Sequence, residues 1–370
     1  MKTSFQLGKI MGIPIKLHIT FLLILPFFAW SFAATPSPFG FSDQEVPFRY
    51  VLSLAAAISL FACVLLHELG HSYIAKKHGT NIQSITLFLF GGVSSLEEIP
   101  RDPRIELKMA LAGPGVSFSI ALILIMIGIF FKPTGESFVD YFFLNPINNP
   151  YLRLVWMISI INIMLGIFNL LPAFPMDGGR VLRAWLAQRM SYIKATREAA
   201  GIGKMLAIFM GIFGLFYNFF WFILIAFFIY IGASEEEKST EINLILEGVK
   251  IKDIMSKEVQ TVTSGMSIEE LVEYIFRFKH MGYPVVDDGQ LKGIVTFTDI
   301  QKVPREERKA VKVSQVMTKN IISLQEDDDA VNALKLMSLN NIGRIIVKKG
   351  EKISGIVSRT DLMRVVQLLE

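Results

Sequence analysis

The segment HELGH, residues 67–71, contains the residues with the clearest capacity for chemistry. In a helix, His67 and His71 lie on one face about one turn apart. Two imidazoles at this spacing hold one Zn²⁺, and Glu68 activates a water molecule at the metal. The segment therefore predicts a hydrolytic zinc site. The alternative is that these three polar residues only pair with one another inside a helix bundle.

A catalytic zinc needs a third protein ligand and keeps one position open for water. The candidate ligand is Asp177, in the segment NLLPAFPMDGG, residues 169–179. Its two prolines break the preceding apolar run, and its two glycines allow a sharp, closely packed backbone. We expect this turn to carry Asp177 beside the histidines; the alternative is that Asp177 only caps the following helix.

The composition of the 370-residue chain places these residues in a membrane. Hydrophobic residues make up 52% of the chain and charged residues 19%, whereas soluble domains carry about a quarter charged residues. HELGH ends an apolar run, where ionisable groups are costly and therefore indicate function. Six apolar segments are candidate spanning helices: 17–34, 50–72, 109–131, 152–171, 202–216 and 219–231.

Lys and Arg concentrate at the N-terminus and in the segments that follow the second and fourth apolar runs. Basic residues of short loops stay on the cytoplasmic side. This pattern predicts a multi-pass protein of the cell membrane whose N-terminus and C-terminal region are cytoplasmic. The net charge of +4 is too small and too scattered to indicate nucleic-acid binding.

The segment 82–98 does not fit a spanning helix. Its run ITLFLF, residues 85–90, precedes two glycines and predicts a β-strand and a turn. Such a strand must be buried in protein or line a cavity, because lipid cannot satisfy its backbone. We expect it to offer an edge to which a substrate adds as a β-strand; the alternative is a purely structural hairpin. The candidate substrate contacts are Leu87, Phe88, Leu89, Gly91 and Gly92.

The C-terminal region contains an internal repeat. VKIKDIMS at 249–256 recurs as VKVSQVMT at 311–318, and GIVTFTD at 293–299 recurs at the same offset as GIVSRTD at 355–361. Within each unit an apolar-periodic helix, 268–278 or 330–339, precedes a β-rich run. We predict a membrane domain at 1–233, a linker at 234–248 and a doubled domain at 249–370, divided into 249–310 and 311–370.

The two β-α-β-β-α units resemble a pair of CBS (cystathionine-β-synthase-type) domains. The resemblance implies an adenine nucleotide, ATP or AMP, as a regulatory ligand between the repeats, and a homodimer through the CBS domains. It assigns the carboxylates of Thr/Ser-x-x-Asp to the ribose hydroxyls. Here those positions are Thr296 with Asp299 and Ser358 with Asp361; the alternative is that Asp299 and Asp361 only cap the final helix of each repeat.

HELGH in one span and N-x-x-P-x-x-P-x-D-G-G in a later one resemble the site-2 protease family of intramembrane zinc metalloproteases, which cut membrane-embedded protein substrates within the bilayer. The resemblance implies one Zn²⁺ per chain held by His67, His71 and Asp177, with Glu68 as the catalytic base. It also implies that Asn169 donates a hydrogen bond to the developing oxyanion. GPGVS, residues 113–117, resembles a third and weaker motif, for which helix packing is the alternative role.

The fold that we expect is a polytopic α-helical membrane domain, with about six transmembrane helices and a short β-element, followed by an α+β CBS-pair domain. Two other function classes remain open. A CBS-regulated transporter or channel explains the spans but not the pairing of HELGH with Asp-Gly-Gly, and the sequence has no evident inverted repeat. A receptor that has lost catalysis does not explain why all four candidate residues are intact.

Overall fold

The computed structural model describes residues 4–88, 91–96, 102–132, 135, 137, 149–350 and 352–369. The chain forms two compact units, Met1–Lys238 and Ser239–Glu370. The first is a helical domain with one small sheet, and the second is an α+β domain built from two repeats.

The first unit begins with two strands and a short helix, which precede the helix that carries HELGH. Its strands are β1 (Ser4–Ile10), β2 (Ile13–His18), β3 (Ile82–Phe88) and β4 (Gly91–Leu96). Its helices are α1 (Phe21–Ala34), α2 (Phe48–Lys77), α3 (Pro103–Phe130), α4 (Pro150–Asn169), α5 (Asp177–Leu186), α6 (Tyr192–Phe216) and α7 (Phe220–Ile245), whose last residues belong to the second unit.

Each of the six predicted apolar segments overlaps a helix. Among the described residues, four helices are long and apolar enough to cross a membrane: α2, α3, α4 and α6. The first predicted segment begins too early, because Leu17 and His18 belong to β2 and α1 has only 14 residues. The polytopic helical domain with a short β-element is confirmed, while the number of spans stays a prediction.

The predicted strand and turn are present as β3 and β4. The strand order is β1-β2-β3-β4, with β2 parallel to β3 and the other two pairs antiparallel. The prediction that the 85–90 run forms an edge is therefore wrong. Ile85 and Leu87 pair with Ile15 and Leu17 of β2 on one side, and β4 pairs on the other. Within the described residues, the edge strand next to β3 is β4.

The second unit contains the predicted repeat. The first repeat consists of α8 (Ile251–Ile254), α9 (Ile268–Phe278), β5 (Gly282–Asp287), β6 (Gln290–Thr296) and α10 (Phe297–Gln301). The second consists of α11 (Val313–Val316), β7 (Ser323–Gln325), α12 (Ala330–Leu339), β8 (Arg344–Lys349), β9 (Lys352–Ser358) and α13 (Arg359–Leu369). The helices α9 and α12 have the predicted bounds.

The two repeats interlock through their opening segments. Ser256, after α8, bridges Ile356 of the second repeat, and Thr318, after α11, bridges Ile294 of the first. The segment 234–248, predicted as a linker, is helical as far as Ile245. Its last residues pack against the core of the second repeat, where Leu246 is fully buried.

Arg153, in the first turn of α4, is buried and pairs with Asp43 in the segment between α1 and α2. Its Nη2 donates to Oδ2 of Asp43 at 2.9 Å, and its Nη1 donates to the carbonyl oxygen of Gly40 at 3.1 Å. Hydrogen bonding from Arg153 holds the pKa of Asp43 below its ordinary value, because it favours the charged carboxylate.

We expect Asp43→Asn to lower the unfolding temperature at neutral pH, since it removes the charge of a carboxylate that pairs with a buried guanidinium. A carboxylate with a lowered folded pKa stabilises the protein above its ordinary pKa of about 3.9. That contribution disappears as the pH falls through the folded value, so the difference between variant and parent should shrink in acid. Glu45→Gln, at an exposed neighbouring carboxylate, is the control. Equal unfolding temperatures for Asp43→Asn and the parent at neutral pH would contradict the prediction.

Candidate metal centre

Three side chains from distant parts of the chain converge in the first unit. His67 and His71 lie one turn apart on α2, and Asp177 is the first residue of α5. Oδ2 of Asp177 lies 3.2 Å from Nε2 of His67 and 3.1 Å from Nε2 of His71, and the two Nε2 atoms are 3.1 Å apart. The structure therefore brings together all three residues that the sequence predicts as metal ligands.

The three atoms form a nearly equilateral triangle of one oxygen and two nitrogens. Ligand atoms at about 2.0–2.2 Å from a tetrahedral zinc are about 3.3–3.6 Å apart, so this triangle fits zinc after a small expansion. His, His and carboxylate is also a ligand set of catalytic zinc sites, which leave the fourth position for water. Among the residues that the structure describes, this is the group of His, Cys, Asp and Glu side chains placed to hold a metal ion.

The face of α3 orients both imidazole rings. Nδ1 of His71 donates to the carbonyl oxygen of Met109 at 2.7 Å, and Nδ1 of His67 is hydrogen-bonded to Oγ of Ser117 at 2.9 Å. A metal-binding histidine commonly uses its second ring nitrogen in this way, which fixes the ring and its tautomer. The bonds leave both Nε2 atoms directed toward Asp177.

Gly113 of α3 lies directly against the two rings. A Cβ atom at this position would overlap Nε2 of His71 and approach Nε2 of His67 within 2.6 Å. The GPGVS motif therefore does more than pack helices, because its glycine makes space for the two imidazole rings and its Ser117 orients one of them. The sequence marked this motif but did not reveal these roles, and the carbonyl of Met109 carries no sequence signal.

Asp177 reaches the histidines through the compact turn after α4. A Cβ atom at Gly178 would overlap the carbonyl oxygen of Leu171, and one at Gly179 would lie 2.6 Å from the backbone nitrogen of Phe174. Both glycines are therefore needed for the close return of the backbone. The N-cap of α5 is Met176, so Asp177 is not the capping residue that the alternative required.

Glu68 is half-buried on α2 and lies against β4. A Cβ atom at Gly92 would overlap Cγ of Glu68, so the strand approaches this carboxylate through a position without a side chain. Behind it in β3, Leu87 is buried and the ring of Phe88 lies 4.9 Å from that of His18. Gly91 pairs with Phe88, and Leu89 lies outside the described residues.

Asn169 is the last residue of α4 and is half-buried. Its Nδ2 donates to the carbonyl oxygen of Leu165 in the same helix at 2.9 Å. This bond uses one of the two N–H groups of the amide. The role of Asn169 as a donor to the oxyanion stays a prediction.

The candidate nucleotide residues form two equivalent clusters. Thr296 donates to Oδ2 of Asp299 through its backbone N at 3.1 Å and its Oγ1 at 2.7 Å. Ser358 donates to Oδ2 of Asp361 in the same manner, at 2.9 and 2.6 Å. In both repeats the carboxylate closes a capping box at the start of the final helix. The aspartates therefore take part in capping, but as the third residue of the turn and not as the N-cap that the alternative named.

Comparison with known proteins adds independent findings. The model of Peptidase family M50 matches residues 55–212, and the CBS domain model matches residues 251–306 and 313–368. Over 370 residues the chain is 40% identical to zinc metalloprotease MJ0392 of Methanocaldococcus jannaschii, with 100% of this chain and 98% of that protein covered.

Two solved structures are also similar to parts of the chain. The site-2 protease from Methanocaldococcus jannaschii covers 63% of this chain and 95% of its own, at 42% identity and a TM-score of 0.43. The CBS domain pair of protein MJ0100, in complex with 5′-methylthioadenosine and S-adenosyl-L-methionine, covers 33% of this chain and 98% of its own. Its identity is 31% and its TM-score 0.31.

We expect Gly113→Ala to abolish zinc binding, because its methyl group takes the space of the imidazole nitrogens. Gly115→Ala, two residues along α3, is the matched control, since a Cβ there meets nothing within 4 Å. Zinc content of the purified variants, measured by elemental analysis, checks the expectation. A Gly113→Ala variant that retains zinc as well as Gly115→Ala does would contradict it.

Proposed function

The chain belongs to peptidase family M50, the site-2 proteases, and on that premise we propose that it hydrolyses peptide bonds of substrates embedded in the membrane, with Glu68 as general base. Identity of 40% over the whole chain establishes the family and, with it, a zinc metalloprotease that carries tandem CBS domains. The observation that best supports the proposed mechanism is the convergence of His67, His71 and Asp177 beside the helix turn that contains Glu68. The family is enzymatic, so neither the transporter or channel nor the inactive receptor gains support.

Each residue of the centre has a distinct task in this proposal. His67, His71 and Asp177 would hold one Zn²⁺, which would supply Lewis acidity when bound. The carboxylate of Glu68 accepts a proton from the attacking water and returns it to the leaving amine. The second N–H of the Asn169 amide donates to the oxygen on which negative charge develops.

Glu68→Gln should retain zinc but lose about 10²–10⁴ in cleavage rate, because an amide cannot accept the proton. The comparison variant is His67→Ala, which should lose both zinc and cleavage. Cleavage of a transmembrane substrate and zinc content are measured on the same preparations. Near-parental cleavage by zinc-loaded Glu68→Gln would refute the role of Glu68.

We further propose that β4 binds the substrate. Backbone hydrogen bonds inside a transmembrane helix shield its peptide groups, and an unwound segment needs replacement partners. The outer edge of β4 supplies such partners by strand addition, and Gly92 brings this strand against Glu68. Gly91 and Gly92 are then the nearest backbone contacts of the substrate, while Leu87 and Phe88 support β4 from β3.

Proline substitutions at Val93 and Ser94 test this binding mode. Consecutive residues of an antiparallel strand direct their N–H groups alternately to the two sides, so one of these adjacent positions directs its N–H away from β3. Proline removes that donor, and we expect one of the two variants to lose cleavage while it retains zinc and its unfolding temperature. Two zinc-loaded variants that cleave like the parent would refute strand addition at β4.

The site-2 protease family and the apolar helices indicate a multi-pass membrane protein. We propose that its N-terminus and CBS domains are cytoplasmic, as the Lys and Arg distribution favours. A homodimer through the CBS domains belongs to the same proposal.

We also propose that the CBS pair binds ATP or AMP and thereby regulates cleavage. The support is the doubled CBS match and the equivalent placement of Asp299 and Asp361. Each carboxylate uses Oδ2 for its capping box, so Oδ1 is the atom offered to ribose hydroxyls. In the first repeat Lys302 lies 3.1 Å from this atom, whereas in the second Arg364 lies 3.9 Å away.

Asp299→Asn and Asp361→Asn should weaken nucleotide binding to the full chain, because each retains an acceptor for the capping box but loses the charged oxygen. Asp253→Asn, at an exposed aspartate of α8, is the control. Binding of ATP and AMP is measured by calorimetry, and cleavage is measured with and without each nucleotide. Regulation requires different affinities for the active and inactive arrangements, so tight binding with unchanged cleavage would refute the regulatory role.

A further inference from the structure

Arg183 lies near the end of α5, the ten-residue helix that begins with Asp177. It is 1% exposed, and its guanidinium joins two other helices. Nε and Nη2 donate to Oε1 of Glu106 on α3, at 2.8 and 2.6 Å, and Nη1 donates to Oε1 of Glu236 on α7 at 2.6 Å. Glu106 is itself fully buried.

Two aromatic rings flank this guanidinium. Its central carbon lies 5.0 Å from the centroid of Phe174 and 5.0 Å from that of Tyr192, which begins α6. Phe174 belongs to the turn that leads to Asp177. A guanidinium is planar and its donors have fixed directions, so this arrangement holds α5 and its preceding turn at a defined position.

Glu106 belongs to the same face of α3 that orients the histidines. Glu106, Met109, Gly113 and Ser117 follow one another at intervals of three or four residues, and such positions align along one side of a helix. This one stripe of α3 therefore has two roles. Glu106, at its N-terminal end, binds Arg183 of α5, and the residues that follow contact His71 and His67.

We propose that Arg183 is a positioning residue for the metal centre, and that Glu236 maintains it in that role. Through Glu106, Arg183 places α5 in register with α3, so that Oδ2 of Asp177 meets the two Nε2 atoms. Neutralising Glu236 removes one of the two carboxylates that hold the guanidinium of Arg183, and Asp177 then loses its fixed position. This inference rests on the proposed zinc hydrolase.

Two adjacent glutamates of α7 provide a matched comparison. Glu236 pairs with Arg183 of α5, whereas Glu237 pairs with Lys204 and Arg197 of α6, at 2.5 and 3.9 Å. Their side chains are 27% and 23% exposed. Glu236→Gln and Glu237→Gln are thus the same change in similar surroundings, and the first acts on the helix that carries Asp177.

The test uses the full-length protein in detergent micelles. Zinc loss to a colorimetric chelator is timed, and the absorption spectrum of the Co²⁺-loaded protein reports ligand geometry. We expect Glu236→Gln and Arg183→Lys to release zinc about 10–100-fold faster, the range in which groups behind metal ligands alter affinity, and to shift the Co²⁺ spectrum. Glu237→Gln should match the parent in both measurements.

If Glu236→Gln and Glu237→Gln release zinc equally faster than the parent, zinc retention depends only on the packing of α7, and the proposal is overturned. Parental zinc release and Co²⁺ spectra in Glu236→Gln would also overturn it, and this variant decides the matter even if Arg183→Lys does not fold. A parent chain that binds no zinc would instead refute the proposed function itself.

Discussion

The imidazole rings of His67 and His71 lie against the backbone of α3 at Gly113, and the placement of the proposed metal ligands depends on this contact. Space for the rings, a carbonyl acceptor and a hydroxyl partner all come from one side of one helix. Because α2 supplies both histidines, its distance from α3 fixes two ligands at once. The third ligand must then come from an element aligned to the same helix, as α5 is through Glu106.

The membrane domain concentrates its buried charge where helices must keep their register. Ionisable groups are expensive in apolar surroundings unless they are paired. Here Arg183 has two carboxylate partners, and Arg153 has a carboxylate and a carbonyl. An apolar contact tolerates sliding, whereas a forked ion pair has one good geometry. Such pairs suit a domain whose helices otherwise present similar apolar surfaces to one another and to lipid.

Features with a local pattern could be predicted from the sequence. The spacing of HELGH, the prolines and glycines around Asp177 and the periodicity of α9 and α12 each depend on neighbouring residues, and the structure places these elements as expected. The family match shows that the predicted resemblance is correct. The role of Ser117 and the pairing of Arg183 with Glu106 depend on tertiary contacts between residues far apart in the chain, so no local pattern predicts them.

The error at β3 has the same origin. The apolar run predicted a strand, but its neighbours depend on where the N-terminal hairpin returns, and β2 pairs with it across two intervening helices. The sequence places Leu17 in an apolar span, because the end of an apolar strand and the start of an apolar helix have similar composition. Among the described strands, the edge therefore lies one strand further along, at β4.

Among the described strands, β4 leaves one edge of the sheet unpaired. Such an edge consists of peptide groups, which are alike in every sequence. In the proposed strand addition, the main-chain hydrogen bonds at this edge do not depend on the side chains of the substrate. What differs between candidate substrates is the cost of exposing a stretch of backbone, which is lower where glycine, asparagine or proline weakens the helix. On the proposal that β4 binds the substrate, the discrimination is thermodynamic: we expect transmembrane segments that unwind readily to be cleaved and stable helices to be left uncut.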